Sequence, residues 1–352
     1  MKIALISDAW RPQINGVVTT LTKTCQTLER FGYDIESMTP ERFRSWPCPT
    51  YPSIRLALGC GRKLQRLLDD CAPDTIHIAT EGPLGLAARR YCLRRGLAFT
   101  TSFHTRFPEY VNLRFGIPVG WGYAFLRWFH RPASHVMVAT GSLQAELESK
   151  GFSNLVPWSR GVDTALFHPR SNQPFADEKP IFLYVGRVAV EKNVEAFLKL
   201  ALPGRKYVVG DGPQLDQLKA SYPDVRFVGS KSGEALAAYY AAADVFVFPS
   251  RTDTFGLTML EALASGVPVA AYPVQGPRDV LLDERVGCMS RDLKAAALKA
   301  LSLDRTVCRK YVQRYSWEAC TCQFLSHLTS AQSSCRHELT SQSTSHSGQR
   351  SS

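Results

Sequence analysis

With 352 residues the chain exceeds the length at which one hydrophobic core usually keeps growing, and its 45% hydrophobic content is enough for two. Its 42 Lys and Arg against 31 Asp and Glu leave a net charge of +11, which favours anionic partners such as nucleoside diphosphates, anionic lipid or nucleic acid. No apolar run approaches the ~20 residues of a membrane helix, so contact with a membrane is expected to be peripheral.

The charge is unevenly spread. Residues 1–165 hold 20 of the cations and 13 of the acids, a net of +7, against +4 for the remainder. The first half is therefore the expected surface for a large anionic partner. The opening Met1-Lys2-Ile3-Ala4-Leu5-Ile6-Ser7-Asp8 is too short an apolar run for a secretory signal. Ten cysteines without a Cys-x-x-Cys pair then read as reduced cytosolic thiols, several of them buried.

Along the chain, short β-branched runs alternate with helical patterns, which predicts βαβ units and parallel sheets. Strands are expected at residues 2–7, 34–38, 75–80, 98–103 and 135–140. Helices 17–31 and 85–95 end at Gly32 and Gly96, since glycine just past a helix is the usual stop. A second series follows Pro180, at 181–185, 207–209, 225–228, 245–248 and 267–271. Between the series, residues 163–179 read as a linker. The expected architecture is α/β, with two doubly wound Rossmann-like domains and a ligand cleft between the carboxyl ends of their strands. Residues 1–165 form the first domain, 166–315 the second and 316–329 a last helix. From residue 330 the chain has little to bury and is expected to be disordered.

The most informative stretch is Ser250-Arg-Thr-Asp-Thr-Phe-Gly-Leu-Thr-Met-Leu-Glu-Ala-Leu-Ala-Ser-Gly266, directly after an apolar strand. Asp253 and Glu261 flank a turn marked by Phe255 and Gly256. The helix after the turn begins with unpaired N–H groups that favour an anion. Phosphate donors beside hydroxyl acceptors suit a sugar nucleotide. The segment resembles the E-x7-E signature of retaining nucleotide-sugar glycosyltransferases of the GT-B fold, with aspartate in the first acidic position. Arg160-Gly161-Val162-Asp163, Val185-Gly186-Arg187 with Glu191-Lys192-Asn193, and Gly210-Asp211-Gly212-Pro213 match in the same order. The pattern is most similar to bacterial glycolipid and sulfolipid synthases and related mannosyltransferases.

The resemblance implies that the last helix crosses back onto the first domain, and it implies roles for particular residues. Arg187 and Lys192 would stabilise a diphosphate leaving group, and His104, at a strand end, would lie near the donor sugar. Glu261 would hold the nucleotide ribose and Asp253 the sugar hydroxyls. Backbone at Phe255, Gly256 and Leu257 would serve as donors, with Gly16 and Gly210 on the donor side. His77, in mid-strand, reads as core. Glu81 reads either as an acceptor contact or as an acid serving the next helix's first turn. No His/Cys/Asp cluster has ligand spacing, so neither metal nor cofactor is expected.

Residues 103–129 carry nine of the 37 aromatics. Trp121, Phe125, Trp128 and Phe129 recur at helical spacing beside Arg127 and Arg131, a pattern suited to the lipid interface or to a core-facing helix. The leading expectation is a cytoplasmic enzyme, peripheral on the inner membrane face. It would take a UDP- or GDP-sugar and glycosylate a membrane lipid such as diacylglycerol, with anionic lipid rather than nucleic acid as its large partner. A soluble or polysaccharide acceptor and a non-catalytic sugar-nucleotide binder remain alternatives. A dehydrogenase lacks Gly-x-Gly-x-x-Gly after the first strand.

Overall fold

A computed structural model describes residues 1–13, 15–48, 51–170 and 179–331. Part of the expected linker and nearly all of the expected disordered tail lie outside the described residues. The first half contains β1 (Lys2–Ile6), β2 (Asp34–Met38), β3 (Ser45–Cys48), β4 (Tyr51–Ala57), β5 (Thr75–Ile78), β6 (Thr100–Phe103), β7 (Val136–Val138) and β8 (Leu155–Pro157). Its helices are α1 (Gly16–Arg30), α2 (Gly61–Cys71), α3 (Pro83–Arg95), α4 (Phe107–Phe115), α5 (Val119–His130) and α6 (Gly141–Ser149). The second half contains β9 (Ile181–Val185), β10 (Arg205–Val209), β11 (Arg226–Phe227), β12 (Val245–Phe248), β13 (Val269–Ala271) and β14 (Gly287–Met289). Its helices are α7 (Val194–Leu198), α8 (Leu215–Ser221), α9 (Gly233–Ala242), α10 (Leu257–Ala264), α11 (Gln275–Val280), α12 (Leu293–Ala300), α13 (Arg305–Val312) and α14 (Trp317–His327).

Each half builds a six-stranded parallel sheet. The first runs β2-β1-β5-β6-β7-β8 and the second β11-β10-β9-β12-β13-β14. Helices cover both faces, so β1, β5, β6, β9 and β12 are almost wholly buried, as all-parallel strands must be. The sequence missed the short edge strands β8 and β14 and the antiparallel β3–β4 hairpin.

In each sheet the strand order reverses once, between β1 and β5 in the first and between β9 and β12 in the second. Open parallel sheets bind ligands at such switch points, outside the carboxyl ends of the strands. The loops leaving β1, β5, β9 and β12 are therefore the ones to watch. They carry Gly16, Glu81, Arg187 with Lys192, and Asp253.

The last helix lies on the first half. Its Phe324 and Cys320 share a core with Leu21, Cys25 and Leu28 of α1 and with Trp158, and Arg30 pairs with Glu318 at 2.9 Å. The indole N–H of Trp158 donates to the Cys320 carbonyl at 3.2 Å, and the Ser159 N–H donates to Gln323 Oε1 at 2.7 Å. Gly161 meets α14 so closely that a Cβ there would lie 2.7 Å from the Trp317 backbone nitrogen. Cys25, Cys60, Cys92, Cys288, Cys308 and Cys320 are buried free thiols.

A valine at Gly161 must push Trp317 away. Gly161→Val should therefore speed amide exchange across α14 while the strands of the second sheet stay protected. Unchanged protection of α14 would contradict this packing.

Candidate active site

The two halves meet across the loops at the switch points. α1 begins at Gly16, where Asn15 Oδ1 accepts the Val18 N–H at 3.0 Å, one residue earlier than the spacing suggested. A Cβ on Gly16 would stand 3.5 Å from Leu257 Cδ1, so the first turns of α1 and α10 face each other. Nearby, the Thr254 hydroxyl donates to the His104 carbonyl at 3.0 Å. His104 leaves the carboxyl end of β6.

α10 is entered through Gly256, whose φ of +90° favours glycine, and a Cβ there would also strike Met259 and Phe248. Asn15, Thr140, Asp292, Asp304 and Ser316 cap their helices with side chains, whereas none caps α10. That leaves its N-terminal dipole available to an anion. Phe255 is buried in the second core and Leu257 is half-buried beside it. These two present backbone rather than side-chain chemistry to the cleft.

Arg187 and Lys192 sit on the loop leaving β9. The Tyr184 hydroxyl donates to the Arg187 carbonyl at 2.8 Å, which fixes that turn from below. Lys192 Nζ forms an ion pair with Asp253 Oδ1, bringing together two residues read separately from the sequence. Burial opposes the lysine charge, but Asp253, Tyr110 and Tyr184 outweigh it and hold Lys192 firmly protonated. The second oxygen of Asp253 is buried and has no hydrogen-bond partner. A buried acceptor left without a partner in the chain calls for one from outside it, a water or a ligand hydroxyl.

The sequence reading overlooked Tyr110. It stands on α4, close enough to Thr252, Lys192 and Asp253 to be influenced by all three, and burial raises its hydroxyl above the ordinary tyrosine range. Glu261 is half-buried rather than on the surface. Its Oε2 accepts the Tyr240 hydroxyl at 2.7 Å, and burial raises its carboxyl to about 7 against that bond. Gly210 is required by packing, since a Cβ there would lie 1.9 Å from the Gly186 carbonyl.

Glu81 does not serve the start of α3. That place is taken by Asp8, whose carboxylate accepts the N–H groups of Leu84 at 2.9 Å and Gly85 at 3.2 Å. Glu81 instead meets Nε2 of the buried His130 at 3.2 Å. His77 is core, with both ring nitrogens held by Thr100 and Ser102 hydroxyls. Among the described residues no group of His, Cys, Asp and Glu could hold a metal ion.

Helix α5 splits its aromatics between two faces. Tyr123, Leu126 and Phe129 are buried, while Trp121, Phe125 and Trp128 are 75%, 39% and 51% exposed. The sequence did not show that α3 extends this face. Arg89 stacks 3.9 Å from the Trp128 ring, and Arg90, Leu93 and Arg94 stand exposed beside it. The result is one outward patch of aromatic and cationic side chains. No helix among the described residues is long and apolar enough to cross a membrane.

Two Rossmann-like sheets meeting at their switch points, with cations, acids and a free helix start between them, define a GT-B glycosyltransferase. The chain belongs to the family 4, group 1 glycosyltransferases: residues 14–166 match the Glycosyltransferase Family 4 model and residues 179–304 the Glycosyl transferases group 1 model. It is 30% identical to a GDP-mannose-dependent alpha-mannosyltransferase of Mycobacterium tuberculosis, over 82% of this chain and 83% of the relative. It is also 30% identical to a sulfoquinovosyl transferase of Arabidopsis thaliana (79% and 61% covered). An alpha-monoglucosyldiacylglycerol synthase of Streptococcus pneumoniae is 26% identical, with 86% and 78% covered. A sucrose-phosphate synthase structure from Thermosynechococcus elongatus superposes with a TM-score of 0.75 at 24% identity, covering 92% of this chain and 97% of that one. The enzyme assignment sets aside both the dehydrogenase and the binding-only readings.

The raised carboxyl of Glu261 has a thermodynamic sign. Folding disfavours its charged form, so its destabilising effect is absent below the ordinary carboxyl range, grows as pH rises from there to about 7 and levels off above it. Glu261→Gln should therefore stabilise the protein more at pH 8 than at pH 5, as read by denaturant midpoints. Equal gains at both values would contradict the burial of this charge.

Proposed function

We propose that this glycosyltransferase moves a hexosyl group from a nucleoside diphosphate to the hydroxyl of a membrane lipid, with retention of configuration and without a metal. The reading rests on one juxtaposition: the uncapped start of α10, the Lys192–Asp253 ion pair and the unpartnered Asp253 oxygen lie where the two halves meet, with Arg187 on the same loop as Lys192. Negative charge grows on a diphosphate as the sugar bond breaks. Preorganised cations and a helix start stabilise that charge as a metal would. Asp253 and His104 would receive the sugar, and Glu261 the ribose.

Retention follows if the acceptor hydroxyl attacks on the face that the phosphate leaves. The departing phosphate oxygen then takes the acceptor's proton, so no side-chain base is required. Lys192 must exchange Asp253 for the phosphate as the donor enters, freeing the carboxylate for sugar hydroxyls.

The lipid acceptor is supported by the outward patch and by a relative named as an alpha-monoglucosyldiacylglycerol synthase. A lipid with two acyl chains does not leave the bilayer cheaply, since each CH₂ contributes ~0.8 kcal/mol. The enzyme would lean on the inner face of the cytoplasmic membrane, with Trp121, Phe125 and Trp128 in the interface and Arg89, Arg90 and Arg94 on anionic headgroups. Each such cation contributes ~1 kcal/mol, and the contribution fades with salt.

Arg187→Ala and Lys192→Ala should each lower turnover by ~10²–10³ in an assay run in EDTA, in variants that circular dichroism shows to be folded at the assay temperature. Wild-type turnover in both would contradict the leaving-group role.

Binding to vesicles should require anionic lipid and weaken in high salt. It should fall when Trp121 and Trp128 are both changed to serine, substitutions their exposure allows the fold to accept. Undiminished vesicle binding by the double variant would place the docking surface elsewhere.

A further inference from the structure

Arg160 is 5% exposed, and no carboxylate among the described residues pairs with it. Its Nη1 donates to the carbonyls of Trp158 at 2.6 Å and Ser159 at 3.0 Å, and its guanidinium lies 4.5 Å from the Trp158 ring. The other arm, Nη2, points at Nδ1 of His104, 3.3 Å away. A guanidinium has donors only, so His104 Nδ1 must be the acceptor. A neutral imidazole carries one N–H, and that hydrogen is then on Nε2. Nε2 is buried and has no hydrogen-bond partner.

We propose that Arg160 is a positioning residue that fixes His104 as the neutral Nε2–H tautomer. His104 is thereby a hydrogen-bond donor to an oxygen of the transferred sugar and not a proton acceptor. The tautomer stands on this geometry alone, whereas the sugar contact rests on the functional reading above.

The surroundings agree. Burial and then Arg160 hold the His104 ring well below the ordinary histidine range, and His77 and His130 act in the same direction. His77 is itself kept neutral by burial, at about 3, and His130 faces Glu81 and Thr101. Arg160 is in turn held from behind, because its neighbours Trp158, Ser159 and Gly161 all lock onto α14. The helix that crosses back thus reaches the cleft through a single arginine and a single imidazole.

The test is a long-range ¹H–¹⁵N spectrum of the full chain with ¹⁵N-labelled histidine rings, recorded from pH 5.5 to 8 and assigned by loss of signals in His104→Gln. The expected His104 pattern is a protonated Nε2, a bare Nδ1 and no titration. An Nδ1–H tautomer, or titration near the ordinary histidine value, would overturn the proposal.

In Arg160→Met the ring should mix tautomers or titrate within this range, and turnover should fall about tenfold or more with a new acidic limb. Affinity for free GDP or UDP should not change. If that variant fails to fold, the wild-type spectrum decides. Adding GDP-mannose or UDP-glucose should shift the Nε2–H signal, and GDP or UDP alone should not. A shift with the bare diphosphate would overturn the sugar contact. Correct spectra in an enzyme that transfers no sugar would refute the functional reading and leave the role of Arg160 standing.

Discussion

The return of α14 onto the first half of the chain is the constraint on which the rest depends. Trp158, Ser159 and Gly161 leave the last strand of the first sheet and are captured at once by this helix, through two hydrogen bonds and a contact only glycine permits. The same packing buries Trp158 against Phe324 and His77, so the helix is part of the first core. α13 continues into α14 from the second half, so the two sheets are joined here by ordered structure. Their switch points can then face each other closely enough for Gly16 to meet Leu257.

From that approach comes the chemistry. A parallel sheet directs the carboxyl ends of its strands, and the loops after them, toward one edge. Two sheets set edge to edge place the loops after β1, β5, β9 and β12 around one space. The sequence supplies cations after β9, an acid after β12 and a glycine-led helix start after that acid. None of these groups is unusual alone. Their ion pair, the unpartnered Asp253 oxygen and the uncapped helix start after Gly256 suit the space to a polar, partly anionic guest.

Local signals made much of this legible in the sequence. Buried parallel strands read as continuous apolar runs, and the turn at Phe255-Gly256 stands out because a strand ends and a helix begins within a few residues. The edge strands β8 and β14, three residues each, are too short to show a period. Asp8, Tyr110, Arg160 and Tyr240 escaped because their roles depend on partners 76, 142, 56 and 21 residues away, distances that only the fold closes. Glu81 was left with two readings for the same reason. Its neighbour in sequence is a helix start, but that start is occupied by Asp8 from another strand. The α5 stripe divided where the pattern allowed either reading, since both a core face and a surface face exist on one helix.

The central claim is transfer of sugar from a nucleoside diphosphate to lipid. The most direct measurement incubates purified protein in EDTA with labelled UDP- and GDP-sugars and anionic vesicles containing a bacterial lipid extract, then follows label into lipid and determines the anomeric linkage. The account predicts an α-linked glycolipid from an α-linked donor. Label that enters only water-soluble products, or a β-linked lipid, would contradict it.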